Sequence, residues 1–454
     1  MTLADEQFAK ACHLAGKLFS SGRQDEARDI WGKLVLTDPD QPHPIYCLSA
    51  YHAEKHDDAT AMLLLMRLVE KHPEHYEGWT QLGHVFRRSQ EITASRYAYE
   101  QALKAKPDHS LALTGMAGSY VNQGDPKTGL EWARKALVSF SDDCETRRSA
   151  VNNLSLLLLE DGQWEEGWKW YSKRAEMVGY HVRDYGKLPR WNGKKVKRLA
   201  IHAEQGVGDE ILFASCLPDV QKLADELVIE CTPRLIETFE RSFGCKAFGT
   251  HEELLEKAGP LDAWERMGDL PMRFRPTRES CPGTPYIKPD LAKVTGYRAR
   301  LNTMGPGPYI GFAWLGGTPT THDAVRRAPR ELWRSLINRA PGTKISLQYG
   351  DEGDRAPFGL TNWRGINDGI PNLDETIALI AACDVVVTAC QSVVHFAGSI
   401  GTKCLVVTPT RCAWRYTGPD EKMPWYGSVR LLRMEDGKWN PAFDKAERAL
   451  ADLR

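Results

Sequence analysis

The sequence lacks the cysteine patterns that mark a disulfide framework or a zinc site. Its 11 cysteines are scattered along 454 residues, with no Cys-x-x-Cys pair and no cysteine–histidine cluster at zinc spacing. An odd number of scattered cysteines in a chain of this length argues against a set of disulfides. We therefore expect reduced thiols and no metal site.

The sequence also lacks an excess of charge and a long apolar run. It has 59 basic and 60 acidic residues, and this balance gives no general attraction to nucleic acid or anionic membranes. No uncharged apolar stretch approaches the roughly 18 residues that span a bilayer. The opening MTLADEQFAKACHLAG has no basic segment followed by an apolar core, as a signal peptide would. We expect a cytoplasmic protein that has no membrane span and binds no nucleic acid.

Prolines recur at a fixed period in the first third of the chain. Pro39, Pro73 and Pro107 follow the 34-residue period of a tetratricopeptide repeat, in which each unit is a pair of antiparallel helices. The segment ending at Pro107 has the large and small residues of such a repeat in order. They are Trp79, Leu82, Gly83, Phe86, Ser95, Tyr99, Ala102 and Pro107. We predict an all-helical array over residues 1–178, including divergent capping helices.

The function of the array has two interpretations. Repeat arrays of this kind present a concave surface to peptides or protein partners, and we expect a protein partner here. The alternative is a spacer or a dimerisation element. Trp164, Trp168 and Tyr171 recur at three- to four-residue spacing in the capping segment. These aromatic residues pack the array against the following residues or, alternatively, contribute to peptide binding.

Strand-like and helix-like segments alternate after Lys195, which is typical of βαβ units and a parallel sheet. The turn-rich GPGP at 305–308 interrupts this alternation as a linker would. We predict an α/β region of two Rossmann-like units, over 190–304 and 307–454, with a cleft between them. Ligands of such sheets bind beside the carboxyl ends of the strands.

The segment HAEQGVGDEILFA, residues 202–214, lies at the first strand-to-helix turn of this region. Ile211 occupies the place of the third glycine in G-x-G-x-x-G, so a dinucleotide fingerprint is unsupported. Asp209 either caps a helix that starts at Glu210 or presents a carboxylate to the cleft. Gly206 and Gly208 would let the backbone approach a ligand, most simply an acceptor.

A second strand-to-helix turn lies in TACQSVVHFAGSIG. The first turn of its helix offers free N–H groups and a positive dipole to a phosphate. Gln391 and Ser392 add side-chain hydrogen bonds, and His395 lies three residues further on. His395 is either within reach of the same ligand or a structural residue with satisfied hydrogen bonds.

Several arginines follow strands of the second unit, as phosphate ligands or as solvated surface charges. They are Arg326, Arg327, Arg411 and Arg415. Gln348 ends a strand on the same side, and Glu375 begins the next helix. Glu375 would accept ribose hydroxyls or simply favour the helix N-terminus.

The ordered motifs resemble those of bacterial tetratricopeptide-repeat proteins with a glycosyltransferase-like C-terminal half. EQGVGDEILFA, SLQYG, TACQSVVHFAGSIGTK and AWRY carry the resemblance. That half is similar to the ADP-heptose lipopolysaccharide heptosyltransferase family, which has the GT-B fold. The resemblance implies that Asp209 is the base of an inverting, metal-independent sugar transfer, with Gln205 beside it in the acceptor loop.

The same resemblance implies a donor site in the C-terminal unit. The residues it implies are Arg327, Gln391, Ser392, His395, Trp414 and Arg415, and Gln348 and Glu375 join this predicted donor site by their places at a strand end and a helix start. Cys390 and Gln391 stand where the family has aspartate and threonine, so the donor loop departs from the pattern.

The implied function is transfer of a sugar from a nucleotide-activated donor to a hydroxyl of a protein, flagellin being one candidate, or of a glycan. The donor is a substrate, and no cofactor is expected. One alternative is a non-catalytic scaffold with a degenerate nucleotide-sugar-binding module. Another is a nucleotide-sugar epimerase or hydrolase that needs no separate acceptor.

Overall fold

The first part of the chain is a run of antiparallel helix pairs. The computed structural model describes residues 3–139, 145–175, 183–316, 327–350, 358–363, 373–410, 412–418 and 420–453. The helices of the first part are α1 (Leu3–Ser20), α2 (Gln24–Thr37), α3 (Pro42–Glu54), α4 (Asp58–Lys71), α5 (Tyr76–Arg88), α6 (Ile92–Ala105), α7 (Ser110–Asn122), α8 (Pro126–Ser139) and α9 (Glu145–Asp161). The first compact unit of the chain extends to Leu157, and the second begins at Leu158.

Glycine lets the helices of the repeats pack around aromatic rings. Tyr99 is fully buried, and a Cβ added to Gly83 or Gly115 would lie within 2.5 or 2.3 Å of its ring. The Tyr99 hydroxyl is hydrogen-bonded to His84 Nδ1 at 2.8 Å. Two of these residues, Tyr99 and Gly83, are at the large and small positions that the sequence pattern identified. The predicted tetratricopeptide-like array is confirmed.

The second compact unit contains helix α10 (Trp164–Ser172) and an α/β region with two sheets. The first sheet has the strand order β3-β2-β1-β4, and all its pairings are parallel. Its strands are β1 (Val196–His202), β2 (Ala224–Glu230), β3 (Lys246–Phe248) and β4 (Ala263–Arg266). The helices that accompany it are α11 (Val207–Ala214), α12 (Leu217–Val220), α13 (Ile236–Phe243), α14 (His251–Lys257), α15 (Pro271–Phe274) and α16 (Leu291–Met304).

The second sheet has the order β6-β5-β7-β8-β10-β9, and it is parallel except for the edge strand β9. Its strands are β5 (Tyr309–Ala313), β6 (Thr343–Ser346), β7 (Val385–Ala389), β8 (Cys404–Thr408), β9 (Lys422–Met423) and β10 (Tyr426–Arg433). The helices are α17 (Arg330–Arg339), α18 (Asp374–Ala382), α19 (Ser392–Ile400) and α20 (Asn440–Ala451). Two Rossmann-like units are therefore confirmed as the fold class.

The central strands of the second sheet are buried along their whole length. The segments VVVTA of β7 and CLVVT of β8 have no exposed residue, as expected for parallel strands covered by helices on both faces. Trp333 of α17 and Phe443 of α20 meet edge to face, with ring centroids 5.1 Å apart, over one face of this sheet. This rigid core holds the loops at the carboxyl ends of the strands.

A buried carboxylate joins the two α/β halves. Asp374, at the start of α18, is 1% exposed and accepts hydrogen bonds from Arg241 of α13, one of them 2.7 Å long from Nη1. Thr238 of α13 donates to the same carboxylate. Burial alone would raise the pKa of Asp374, but the hydrogen bonds from Arg241 and Thr238 outweigh it and lower the pKa.

We predict that Asp374→Asn destabilises the α/β region by about 3–5 kcal/mol at pH 7, because it leaves Arg241 without its charged partner in a buried site. A carboxylate whose pKa is lowered by folding stabilises the fold at pH values above its unfolded-state pKa, which is about 3.9. It loses that effect as the pH falls below this value. The difference from wild type, measured by urea unfolding, should therefore shrink below about pH 4.

Glu375→Gln is the matched control for this change. Glu375 is the next residue, and its partly exposed side chain accepts from Tyr297 and from Lys293 Nζ, the latter at 3.0 Å. We expect a loss of no more than about 1 kcal/mol, as for other solvent-accessible pairs. Equal effects of the two substitutions would show that Asp374 does not hold the halves together.

Candidate functional site

The candidate site lies where the N-termini of α11 and α19 meet. Helix α11 follows the carboxyl end of β1, and α19 follows that of β7. Gly206 is the N-cap of α11, with φ −73° and ψ 161°, so the helix begins at Val207. Asp209 is the third helical residue and its N–H donates to the Gly206 carbonyl oxygen at 2.8 Å. The predicted cap by Asp209 is therefore wrong, since the turn occurs three residues earlier.

Asp209 is paired with an arginine from the other α/β half. Arg415 Nε donates to Asp209 Oδ1 at 2.6 Å, and Nη2 donates to the same oxygen. Each side chain is 20% exposed. Burial would lower the pKa of Arg415, but the charge of Asp209 outweighs it and the pKa is raised. An acid in the first turn of α11 and a cation in the short turn Trp414–Tyr416 thus form one charged pair, each member reachable by solvent.

The two glycines of this loop have different surroundings. A Cβ on Gly208 would lie 3.1 Å from His395 Cδ2 and 3.6 Å from the Ser392 Cα, so this glycine allows α11 to approach α19. A Cβ on Gly206 would meet no atom within 4 Å. The interpretation that both glycines clear space for an acceptor needs correction. Gly208 makes room for a helix, and only Gly206 borders open space.

His395 is enclosed by two tyrosines. Its Nδ1 lies 3.1 Å from the Tyr426 hydroxyl and its Nε2 lies 3.2 Å from the Tyr416 hydroxyl. Burial, and secondarily the charge of Arg415, lowers the pKa of His395 to about 3. With both ring nitrogens occupied, His395 matches the structural alternative rather than the donor contact that the resemblance implied.

Ser392 and Gln391 differ in what they offer to a ligand. Ser392 is the first residue of α19 and is partly exposed. Gln391 is buried, and its Nε2 donates to Thr388 Oγ1 at 3.2 Å, while its Oε1 makes no hydrogen bond among the described residues. The segment after β5 packs closely on this loop, because a Cβ on Gly316 would lie 2.4 Å from the Gln391 Cβ. Ser392 is the partly exposed residue of the predicted phosphate loop, 390–395, and the other five residues are buried.

Gln348 is a structural clamp rather than an open donor contact. Its Oε1 accepts from the backbone N–H groups of Trp314 and Leu315 at 3.0 and 2.8 Å. Its Nε2 donates to the carbonyl oxygens of Leu315 and Tyr349 at 2.9 and 3.3 Å. This corrects the predicted role, because these bonds fix the segment after β5.

Glu375 and the predicted arginines do not all join the site. Glu375 lies in the first turn of α18, which fits the helix N-terminus alternative, and it is tied to Tyr297 and Lys293 of α16. Ribose binding by Glu375 stays a prediction. Arg327 is exposed ahead of α17. Arg326 and Arg411 lie outside the described residues.

Trp414 belongs to an aromatic cluster and is only 3% exposed. The Arg415 guanidinium lies 4.8 Å from the centroid of its ring, and Trp168 of α10 meets it edge to face at 5.3 Å. Trp414 therefore packs inside this cluster and against the Arg415 guanidinium, and the donor contact implied for it stays a prediction. The other rings of the cluster are Trp164, Tyr171, Phe213 and Trp425.

Sequence reasoning missed the contacts between α10 and the acceptor loop. Gln205 Nε2 donates to the Tyr171 hydroxyl, and Glu204 pairs with Arg174. The aromatic spacing in GQWEEGWKWYSKR was the available signal for Tyr171. No sequence signal linked Arg174 to a glutamate in a distant loop.

In the described part of the chain, no helix is long and apolar enough to cross a membrane. No group of three or more histidine, cysteine, aspartate or glutamate side chains within that part has the arrangement of a metal site.

Comparison with known proteins gives a similarity that extends over nearly the whole of this chain. The chain is 29% identical over 463 residues to Protein FlbA of Caulobacter vibrioides, covering 96% of this chain and 77% of FlbA. No protein-family model matches the chain. The chain thus combines a tetratricopeptide-like array with an α/β region and is a distant relative of FlbA.

Solved structures of repeat proteins give partial similarities. TTC0263, a thermophilic tetratricopeptide protein of Thermus thermophilus, has 17% identity and a TM-score of 0.34 over 38% of this chain and 93% of its own. MamA of Desulfovibrio magneticus has 15% identity and a TM-score of 0.32 over 37% and 94%.

We predict that His395→Asn destabilises the protein less, relative to wild type, as the pH falls. The folded-state pKa of His395, about 3, lies below the unfolded value of about 6.5, so the unfolded chain takes up the proton first. Between pH 7 and 5, protonation of His395 in the unfolded chain should lower the free energy of unfolding of wild type by about 2 kcal/mol. The variant has no imidazole at this position and should not show this decrease. Urea unfolding at several pH values measures the difference.

The same series contains its control. Between pH 8 and 7 the difference should change by only about 0.1 kcal/mol, because most of the imidazole is already neutral in the unfolded state. A constant difference down to pH 5 would mean that folded His395 takes up a proton, as a solvent-accessible ligand would.

Proposed function

We propose that this protein is a glycosyltransferase of GT-B type that moves a sugar from a nucleotide-activated donor to a hydroxyl of a protein or glycan. The observation that carries the proposal is the pair formed by Asp209, in the first turn of α11, and Arg415, in the short turn Trp414–Tyr416 after β8. Transfer from such a donor needs a base for the acceptor hydroxyl and positive charge for the departing phosphate. The pair supplies one group of each kind within a single site.

The donor phosphate binds to Arg415, the Ser392 hydroxyl and the free N–H groups of α19. Guanidinium groups suit phosphate oxygens because they donate two parallel hydrogen bonds. A helix N-terminus adds N–H donors and positive dipole. These groups stabilise the negative charge that develops as the bond between the anomeric carbon and the phosphate oxygen breaks.

Donor binding also releases Asp209. Arg415 now occupies Asp209 Oδ1 with two N–H groups. When Arg415 donates to phosphate instead, that oxygen becomes available to the acceptor hydroxyl. The acceptor oxygen attacks the anomeric carbon, its proton passes to Asp209, and the electron pair of the broken bond leaves with the nucleotide. Attack opposite the leaving group inverts the anomeric centre.

The repeat array is proposed to recruit a polypeptide acceptor or a protein partner, in line with the general use of such arrays. A single polypeptide would then hold both the acceptor and the catalytic site. Flagellin is one acceptor to test.

A non-catalytic nucleotide-sugar-binding scaffold is the second candidate. Three predicted donor contacts are occupied by protein groups: Gln348 by backbone atoms, His395 by two tyrosines and Gln391 by Thr388. This favours a donor site with fewer groups available to a ligand. A measurement of sugar transfer distinguishes the glycosyltransferase from the non-catalytic scaffold.

We predict that Asp209→Asn lowers sugar transfer at least about 100-fold, which is the scale of a positioned general base. Donor binding should persist, since Arg415 and Ser392 remain. Transfer is measured by mass spectrometry of acceptors incubated with a panel of nucleotide sugars. Asp225→Asn removes an exposed acid paired with Lys195 at 3.3 Å and serves as the control. Undiminished transfer by folded Asp209→Asn would exclude the base role.

We predict that Arg415→Ala weakens nucleotide-sugar binding by about 10- to 100-fold, because a charge-assisted hydrogen bond contributes about 1.5–3 kcal/mol. Thermal unfolding with each nucleotide sugar measures binding; a ligand at 100 times its Kd stabilises by about 2.7 kcal/mol. Arg430→Ala, which removes an exposed arginine paired with Glu421, is the control. Unchanged binding in Arg415→Ala would remove Arg415 from the donor site, and binding without transfer in wild type would favour the scaffold.

A further inference from the structure

Helix α10 and the turn Lys173–Ala175 pack onto the loop that carries Asp209. Trp168 Nε1 donates to the Arg275 carbonyl oxygen at 2.8 Å, which fixes α10 against the α15 segment. The Trp168 ring lies edge to face with Phe213 of α11 at 6.4 Å. The α10 segment is therefore packed into the α/β region at the helix that bears the proposed base.

Arg174 makes the central contacts of this segment. Its side chain is 4% exposed, and Nη2 donates to Glu204, two residues before the cap of α11. Its Nη1 donates to Asp269 Oδ1 at 2.7 Å and to the Tyr171 carbonyl oxygen at 2.6 Å. The guanidinium lies 3.9 Å from the centroid of the Tyr171 ring. Arg174 thus links the acceptor loop to a buried acid through one planar group.

Gly268 lies directly against this pair. A Cβ there would lie 2.5 Å from Glu204 Oε1 and 2.6 Å from Arg174 Nη2, so a larger residue would displace the ends of both side chains. Asp269 is also held by Arg190 at 2.5 Å and by Arg266 at 2.7 Å. The anchor that Arg174 uses is therefore itself fixed by two further arginines.

The acceptor loop depends on these contacts because its helix lacks an ordinary cap. Gly206, the N-cap of α11, has no side chain to accept from the first turn. The side chains of the two preceding residues, Glu204 and Gln205, both bond to the α10 segment. These bonds fix where α11 begins, and hence where Asp209 lies three residues later.

We infer that Arg174 and Tyr171 are positioning residues, which hold the Glu204–Asp209 loop so that Asp209 meets the acceptor. Their catalytic consequence depends on the proposed transferase function, but the positioning itself does not. The segment that follows the repeat array, and not either sheet, then completes the site.

Hydrogen exchange measured by mass spectrometry tests this on the full-length protein. In Arg174→Met, exchange in peptides covering 203–213 should be at least tenfold faster than in wild type, and Arg174→Lys should restore part of the protection. Arg190→Met is the matched control, since it removes a different cationic partner of Asp269, together with the pair to Glu265, and leaves Arg174 in place. It should leave exchange in 203–213 within twofold of wild type.

A kinetic readout separates positioning from general stability. Transfer by Arg174→Met should show a kcat at least tenfold lower with a donor KM within twofold of wild type, because the donor groups of α19 are untouched. If wild type catalyses no transfer, the proposed function fails, and the exchange data still decide the positioning. The positioning role would be overturned if Arg174→Met left exchange in 203–213 unchanged, or if Arg190→Met increased that exchange equally.

Tyr171→Phe keeps the test informative if Arg174→Met does not fold. It removes only the hydroxyl that accepts from Gln205. Exchange at least threefold faster in 203–213 supports the inference. Exchange equal to that of wild type contradicts it for Tyr171.

Discussion

The close approach of α11 and α19 is the contact on which the rest of the candidate site depends. Gly208 lets the two helix N-termini meet against His395, and only then does Asp209 reach Arg415. A partly buried ion pair adds little net stability, because removing two charges from water offsets most of their attraction. The apolar packing therefore supplies the attraction, and the ion pair fixes the register of the two halves. Arg241 and Asp374 fix a second point.

The aromatic cluster keeps the charged pair in a sheltered place. Trp414 supports the Arg415 guanidinium from one side, and Trp168 covers Trp414. Fewer water molecules around a charge make its interactions stronger. A phosphate that enters would meet Arg415 under those conditions, which is the physical basis for an exchange of partners.

The fold was predictable because its signals are periodic and local. The spacing of Pro39, Pro73 and Pro107 reports a repeat, and the buried runs of β7 and β8 report a covered parallel sheet. The carboxyl-end rule for α/β sheets predicted Asp209 and Arg415 on the same cleft but not the ion pair between them. The hydrogen bonds of His395 and Gln348 were not predictable, because their partners come from segments whose paths no periodicity determines. Arg174 was missed for the same reason.

The packing of α10 also determines where the α/β region can be separated from the chain. A recombinant fragment starting at residue 183 would lose Trp164, Trp168 and Tyr171, which pack on Trp425, Trp414 and Phe213. The uncovered rings would form a contiguous apolar patch, and such patches promote aggregation. The fragment would also lose Arg174, and Glu204 and Asp269 would then lack the cation that pairs with both of them. A fragment for expression or crystallisation should therefore begin at Leu158.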